Sequence, residues 1–362
     1  MFDLIIYISR WLFIFYAAVF VFESAVFIIK RNSDEASLKT AMSIQRLVII
    51  FMHITAFLIL SYIPGEFGFD FQALIVAGAS LVFFIAANHL VVKAYKCSRV
   101  LLWNCMFFLL DTGLIMLYRL EPRLAVRQLV WMSAGLVIML AIPYFMKFFQ
   151  KLYNYEYFFI AAAIILMCLT LYMGEASGGS LNWISIGGII SFQPSEIVKF
   201  LFIFYLASAF RDKVSAKEVI VSWIFSAAIV LVLVVQKDLG GALIFFVTYM
   251  LMLYIATSNA VLFFGGMGAA SISSVFAYTV FSHVRVRVSA WANPWADIDS
   301  GGYQIVQSLF AITTWGFSGS GLTKGMPEKI PVVARDFIFS AICEEFGTFF
   351  GICVIFIYLV IF

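Results

Sequence analysis

The chain predicts an all-α, polytopic helical membrane protein of about eleven spans, with a large extracellular loop before the last of them. Three observations carry this. Hydrophobic residues make up 64% of the 362 and charged ones only 12%, where a soluble domain carries about a quarter charged. Apolar runs of about 20 residues, enough for a helix to cross a hydrocarbon core, recur along the whole length. One long polar stretch, 282–335, breaks the pattern and concentrates Arg, Asp, Gly, Tyr and Gln.

The spans follow in order. The first, 11–29, is long enough to cross and lacks a small-residue cleavage site, so it reads as an anchor and not a cleaved signal. A basic segment, Lys30–Arg46, separates it from 47–63; then come 72–92 and, after Lys93–Arg99, 101–118. Spans at 128–146 and 156–173 lead to a Gly-rich segment, Gly174–Pro194. Further runs lie at 195–210, 219–235, 240–257 and 260–281, and the last, 337–362, follows the long polar stretch. Placing the four short basic connections inside puts 12 Lys or Arg there against 10 outside, or 12 against 5 with the long loop left aside. That bias orients the N-terminus, Gly174–Pro194 and the loop 282–335 outward. The last run ends without a basic flank, and the expectation is a protein that continues beyond Phe362.

A net charge of +3 gives no argument for nucleic acid. Cys97, Cys105, Cys168, Cys343 and Cys353 are scattered, mostly within apolar runs, and read as small hydrophobes with no disulfide framework. His53, His89 and His283 lack ligand spacing, so no metal site is predicted.

Three segments carry candidate chemistry. In GGSLNWISIGGIISFQPSEIVKF, a loop with Trp183 enters a helix opened by Pro194. There Glu196 and Lys199 share one helix face at i, i+3, either as a local ion pair or as the wall of a polar cavity. In QKDLGGA, Asp238 sits at a helix mouth, most simply as a cap, otherwise as a cavity carboxylate. The long loop holds Arg285 and Arg287, suited to a membrane-proximal diphosphate, then Asp297 and Asp299 and the block Gly301-Gly302-Tyr303-Gln304 with Gln307 and Ser308. Asp336 opens the last span, and Glu344-Glu345 lie about two turns inside it. Asp111 and Glu23 sit alone in apolar runs, each as a partner for a neighbouring helix.

Taken together, NWISIGGIISFQPSEIVKF, QKDLGGA, Arg-x-Arg with NPWAD, GGYQIVQSLFAI and IPVVARDFIFSAICEEFG resemble the SEDS family of bacterial membrane glycosyltransferases, the FtsW/RodA/SpoVE group. The blocks agree in order from about residue 100 onward. The chain departs from the family pattern at Asn182, where the family usually has Arg, and at Lys237, where it usually has Pro. It departs again at Arg335, usually Thr, and in the Gly-rich segment altered by Thr314 and Trp315.

The resemblance implies a ten-helix core, 101–362, lacking its last two helices here, with 1–100 as a separable three-helix extension at its side. It implies polymerisation of lipid II into peptidoglycan strands at the outer face of the bacterial cytoplasmic membrane, beside a class B penicillin-binding protein transpeptidase. Asp297 would then be the base. Arg285 and Arg287 would hold the diphosphate, with Trp183, Glu196, Lys199, Asp238, Tyr303, Gln304, Gln307 and Ser308 as further substrate contacts. It implies no firm cofactor, and a divalent cation at the diphosphate is compatible with that chemistry. A carboxylate of ordinary pKa is a weak base, so the role predicts an Asp297 raised by desolvation. Two other readings fit the same charges: a flippase for a lipid-linked sugar, and a non-catalytic scaffold for a transpeptidase.

Overall fold

The computed structural model describes residues 2–30, 35–63, 68–95, 100–152, 155–177, 180–186, 190–211 and 214–362. Among these, nine helices are long and apolar enough to cross a membrane, and the protein is a multi-pass helical membrane protein. They divide into two compact units, 1–142 with 283–362, and 143–282.

The first unit contains α1 (Phe2–Ile29), α2 (Glu35–Ser61), α3 (Phe71–Tyr95), α4 (Val100–Leu120) and most of α5 (Pro122–Leu152), with a two-strand hairpin of β1 (Tyr62–Ile63) and β2 (Gly68–Phe69) between α2 and α3. It is completed by α11 (Ser282–Ala292), α12 (Tyr303–Thr314), α13 (Ile338–Phe346) and α14 (Thr348–Ile361). One apolar core runs through it. Phe20 of α1 meets Phe108 of α4 at 4.5 Å, Phe13 meets Phe346 of α13 at 4.7 Å, and Phe108 meets Phe350 of α14 at 5.8 Å. Such ring pairs add to burial through edge and face electrostatics. The family resemblance begins near residue 100, but the packing continues across that boundary into α1–α3.

Within the apolar core α2 and α4 exchange two sets of polar contacts. Gln45 donates to Ser24 and accepts from Asn104, both at 2.9 Å. Further along, His53 Nδ1 lies 2.5 Å from Asp111 Oδ1, and its Nε2 lies 3.1 Å from Ser80 Oγ. All of these groups are buried, and hydrogen bonding is what makes such burial tolerable. Asp111 thus has the partner on a neighbouring helix that its isolation in sequence required.

The second unit contains α6 (Glu156–Met173), α7 (Pro194–Ala209), α8 (Ala216–Val235), α9 (Leu239–Thr257) and α10 (Ala260–Val280). Phe202, Tyr205, Phe245 and Tyr249 centre its core. Gln236 donates to Thr170 at 2.8 Å, Ser215 and Glu218 form a capping box on α8, and Asn259 caps α10. Two expectations change in detail. The Gly-rich segment before α7 is a three-stranded antiparallel sheet, β3 (Glu175–Ser177), β4 (Ser180–Ile186) and β5 (Ile190–Phe192), in which Trp183, Ile184, Ile186 and Ile190 supply aromatic and β-branched strand formers. The last span is two helices broken at Gly347, whose φ is +96° and whose place an alanine Cβ would fill 2.2 Å from the Phe317 carbonyl oxygen. Cys105, Cys343 and Cys353 are free and buried and Cys168 is free and exposed, while Cys97 lies outside the described residues.

Candidate functional site

The long polar stretch is not an extended loop. Ser282–Ala292 is helical as α11, a 3₁₀ turn covers Pro294–Asp297, and Tyr303–Thr314 is α12. Arg285 and Arg287 are both exposed on α11. At i, i+2 on a helix they project to different sides, so the geometry does not bring both to one diphosphate without bending or unwinding. Asp297 closes the 3₁₀ turn, and Trp295 beside it packs edge-on against Phe310 of α12 at 5.7 Å.

Asp297 is exposed, against the expectation of desolvation. Its Oδ2 accepts from the Ser300 hydroxyl at 2.5 Å and from the Gly301 amide at 3.1 Å. The Ser300 bond first, and the Gly301 bond second, hold its carboxyl below the ordinary carboxylate range. This correction has a local cause: the turn after NPWAD folds its own donors onto the acid. Asp299, Tyr303 and Gln304 are also exposed, and Gln307 is half-buried. Ser308 is buried and bonded to Ser340 of α13 at 2.6 Å, so it ties α12 to α13.

The segment after α12 is pinned within the same unit. Ser320 and Gly321 amides donate to the Glu344 and Glu345 carbonyls at 2.8 and 3.0 Å, serving the free carbonyls at the end of α13. Glu345, fully buried, accepts from Arg119 of α4 at 3.0 Å and from the Thr323 amide at 3.2 Å. Glu344 accepts from the Met326 amide at 2.8 Å. From α1, Arg10 donates to Ser318 at 2.5 Å and Asp3 pairs with Lys324 at 2.6 Å. Sequence reasoning marked Glu344 and Glu345 but missed Arg119, Arg10 and His53, whose partners lie tens to hundreds of residues away.

In the second unit, Asp238 caps α9 by accepting from the Gly241 amide at 2.8 Å. The same carboxylate accepts from Asn182 of β4 at 2.8 Å and Gln193, just before α7, at 3.3 Å. It thereby joins the sheet, α7 and α9. Glu196 and Lys199 form the local pair the i, i+3 spacing predicted, with both carboxylate oxygens on Nζ at 2.7 and 2.8 Å. Trp183 is half-buried on β4; Gly178, Gly179, Gly187 and Gly188 near it lie outside the described residues. Lys237 adopts φ +61°, a backbone that proline, fixed near −65°, cannot take. The departure at this position therefore comes with a different turn. Among the described residues no group of three or more His, Cys, Asp or Glu converges as a ligand set.

These observations define a class first: a polytopic membrane protein with a polar, partly helical connection that presents an exposed aspartate between apolar spans. The profile of the FtsW/RodA/SpoVE family of cell cycle proteins matches residues 99–362. The chain belongs to that family. It is similar to the peptidoglycan glycosyltransferase RodA of Mycobacterium leprae, 28% identical over 304 residues, covering 75% of this chain and 64% of that protein. It is also similar to the probable peptidoglycan glycosyltransferase FtsW of Escherichia coli O6:H1, 33% identical over 221 residues, covering 58% of this chain and 51% of that protein. The chain thus spans less than two thirds of the length of these relatives. A solved structure from work on a peptidoglycan synthase complex shares the fold, with TM-score 0.54 and 22% identity over 72% of this chain and 75% of that one.

Proposed function

We propose that this protein polymerises lipid II into peptidoglycan glycan strands at the outer face of the bacterial cytoplasmic membrane, with the stretch 282–335 extracellular. The observation that carries the reading is the family match over 99–362, which contains all five matching blocks. The names of the relatives support it.

In this reading a sugar 4-hydroxyl attacks the anomeric carbon, the bond to the polyprenyl diphosphate breaks, and the diphosphate leaves with the electron pair. Asp297 takes the hydroxyl proton. The Ser300 hydroxyl now occupies the carboxylate oxygen that an acceptor hydroxyl would approach, so substrate binding exchanges one O–H donor for another. One of Arg285 and Arg287, or both after α11 bends, would balance charge on the leaving diphosphate. Tyr303, Gln304 and Gln307 stand on the following helix as further contacts, and a divalent cation would be held chiefly by the diphosphate itself. Ser308, spent on Ser340, is better read as structural. Trp183, the Glu196–Lys199 pair and Asp238, all in the second unit, are further proposed contacts for the lipid-linked substrate.

A flippase reading draws support from the intramembrane charges, but His53, Asp111, Glu344 and Glu345 are each hydrogen-bonded to a partner within the first unit. A moving charge pathway needs groups free to exchange partners. The test is purified protein with lipid II, with and without a class B penicillin-binding protein, read as glycan chain length. No strands from wild type under either condition would sink the proposal and favour a scaffold role.

A further inference from the structure

We propose that a crevice between α2, α3 and α4 binds the phosphate headgroup of an anionic membrane lipid. The cavity measures about 290 Å³. Its polar end is formed by Arg46, Asn88 and His89, and its walls by Ile49, Phe84 and Phe107. That division matches an amphiphile, with an anion at one end and acyl chain along the rest.

Among the described residues, Arg46 is the only arginine lining the crevice. It lies three turns from the start of α2, at the end of the basic segment 30–46. It takes part in none of the ion pairs formed among the described residues. Its Nε is buried with no hydrogen-bond partner. A buried guanidinium Nε–H without a partner points to a ligand that supplies one, and the planar donor fork suits phosphate oxygens.

Two further observations agree. Asn88 does not swing freely: its amide donates to Asn104 at 3.5 Å, and Asn104 is fixed by Gln45. The polar rim is therefore braced by the buried contacts between α2 and α4. In sequence, the stretches 30–46 and 93–99 carry seven Lys or Arg against two acids, Asp34 and Glu35. Basic clusters of this kind concentrate anionic lipid at the adjacent leaflet. The site lies in α2, α3 and the start of α4, so it is independent of Asp297 and of the polymerase reading.

The test uses the full chain in detergent, titrated separately with phosphatidylglycerol, phosphatidylcholine and inorganic phosphate. Retained lipid is read by native mass spectrometry, and stabilisation by the shift in Tm. Phosphatidylglycerol should be retained above phosphatidylcholine and should raise Tm. Arg46→Gln should lower phosphatidylglycerol retention about fivefold, the loss of one charge contact near a membrane surface. Arg46→Lys should recover part of it, and Arg127→Gln, an exposed arginine on α5, should change nothing. Ile85→Trp, which fills the crevice from its lipid-facing side, should reduce retention with the arginine intact. Inorganic phosphate alone should not raise Tm; if it matches phosphatidylglycerol, the site is for a free anion and the lipid assignment fails. Equal retention of both lipids, or an Arg46→Gln protein that holds phosphatidylglycerol like wild type, would mark the crevice as an ordinary lipid contact and overturn the proposal.

Discussion

At the scale of single residues, Asp297 and Ser300 separate what the sequence discloses from what it conceals. The position of the acid was legible, because NPWAD stands in the one long polar stretch. Its surroundings were not, because they depend on a turn that brings Ser300 and Gly301 back onto the carboxylate. Under the proposed mechanism Asp297→Asn should cut polymerisation by about 10²–10⁴-fold, with expression unchanged, while Asp299→Asn should be mild. Strands of normal length from Asp297→Asn would move the assignment to Asp299 or Asp336. Ser300→Ala gives a sharper reading. Asp297 must be ionised to accept a proton, so the rate falls as pH drops through its pKa. Losing the main bond that depresses that pKa raises it, and the acid limb of the pH–rate profile should shift to higher pH. An unmoved limb would mean that another group sets it.

Among the elements, β3–β5 and the start of α9 carry the instructive differences. Glycines around SLNWISI suggested a loop, yet its aromatic and β-branched residues were the stronger signal and favoured a strand. For Asp238 the cap was legible from its place before LGGA, whereas the bonds to Asn182 and Gln193 cross 56 and 45 residues and were not. Asp238→Ala should therefore cost more than the roughly 1 kcal/mol of a lost cap. Asp238→Ser restores a cap but reaches neither partner, so the difference in thermal stability between the two variants isolates the ties to the sheet and α7. If both variants melt together, those ties contribute nothing. At the neighbouring position Lys237→Gly should stabilise the turn by about 0.5–1 kcal/mol, since glycine takes a positive φ without the Cβ penalty. Lys237→Pro should destabilise it. A denaturation series on the three proteins checks the order.

For the whole molecule, 195–210 and 337–362, read as spans, hold only shorter helices. The helical class and the positions of nine candidate spans among the described residues were legible from apolar length alone, because lipid leaves a crossing chain few alternatives. The division into units was not. Family resemblance places a boundary near residue 100, but α1, α2 and α4 share one core and α1 also grips the segment after α12 through Arg10 and Asp3. A chain beginning at residue 96 would leave Asn104 and Asp111 without Gln45 and His53. We expect it to yield less monodisperse protein than the full chain, and Asn104→Leu with Asp111→Leu to recover part of the loss. Full recovery of folded, active protein without those changes would establish the extension as separable. Arg119→Ala should destabilise the first unit by about 3–5 kcal/mol, because it strands the fully buried Glu345; a Tm close to wild type would remove that pair from the account.

The paired polar contacts between α2 and α4 have a consequence for assembly inside the bilayer. Two greasy cylinders side by side in lipid carry little information about their axial alignment, since one phenylalanine or leucine substitutes for the next. Gln45 and His53 are eight residues apart on α2, and Asn104 and Asp111 seven apart on α4. The helices therefore meet like a two-notched key in its lock. Sliding one by a single turn, about 5.4 Å, parts both couples at once and leaves four polar groups in hydrocarbon. The alignment is thus selected by what a misplaced neighbour would forfeit.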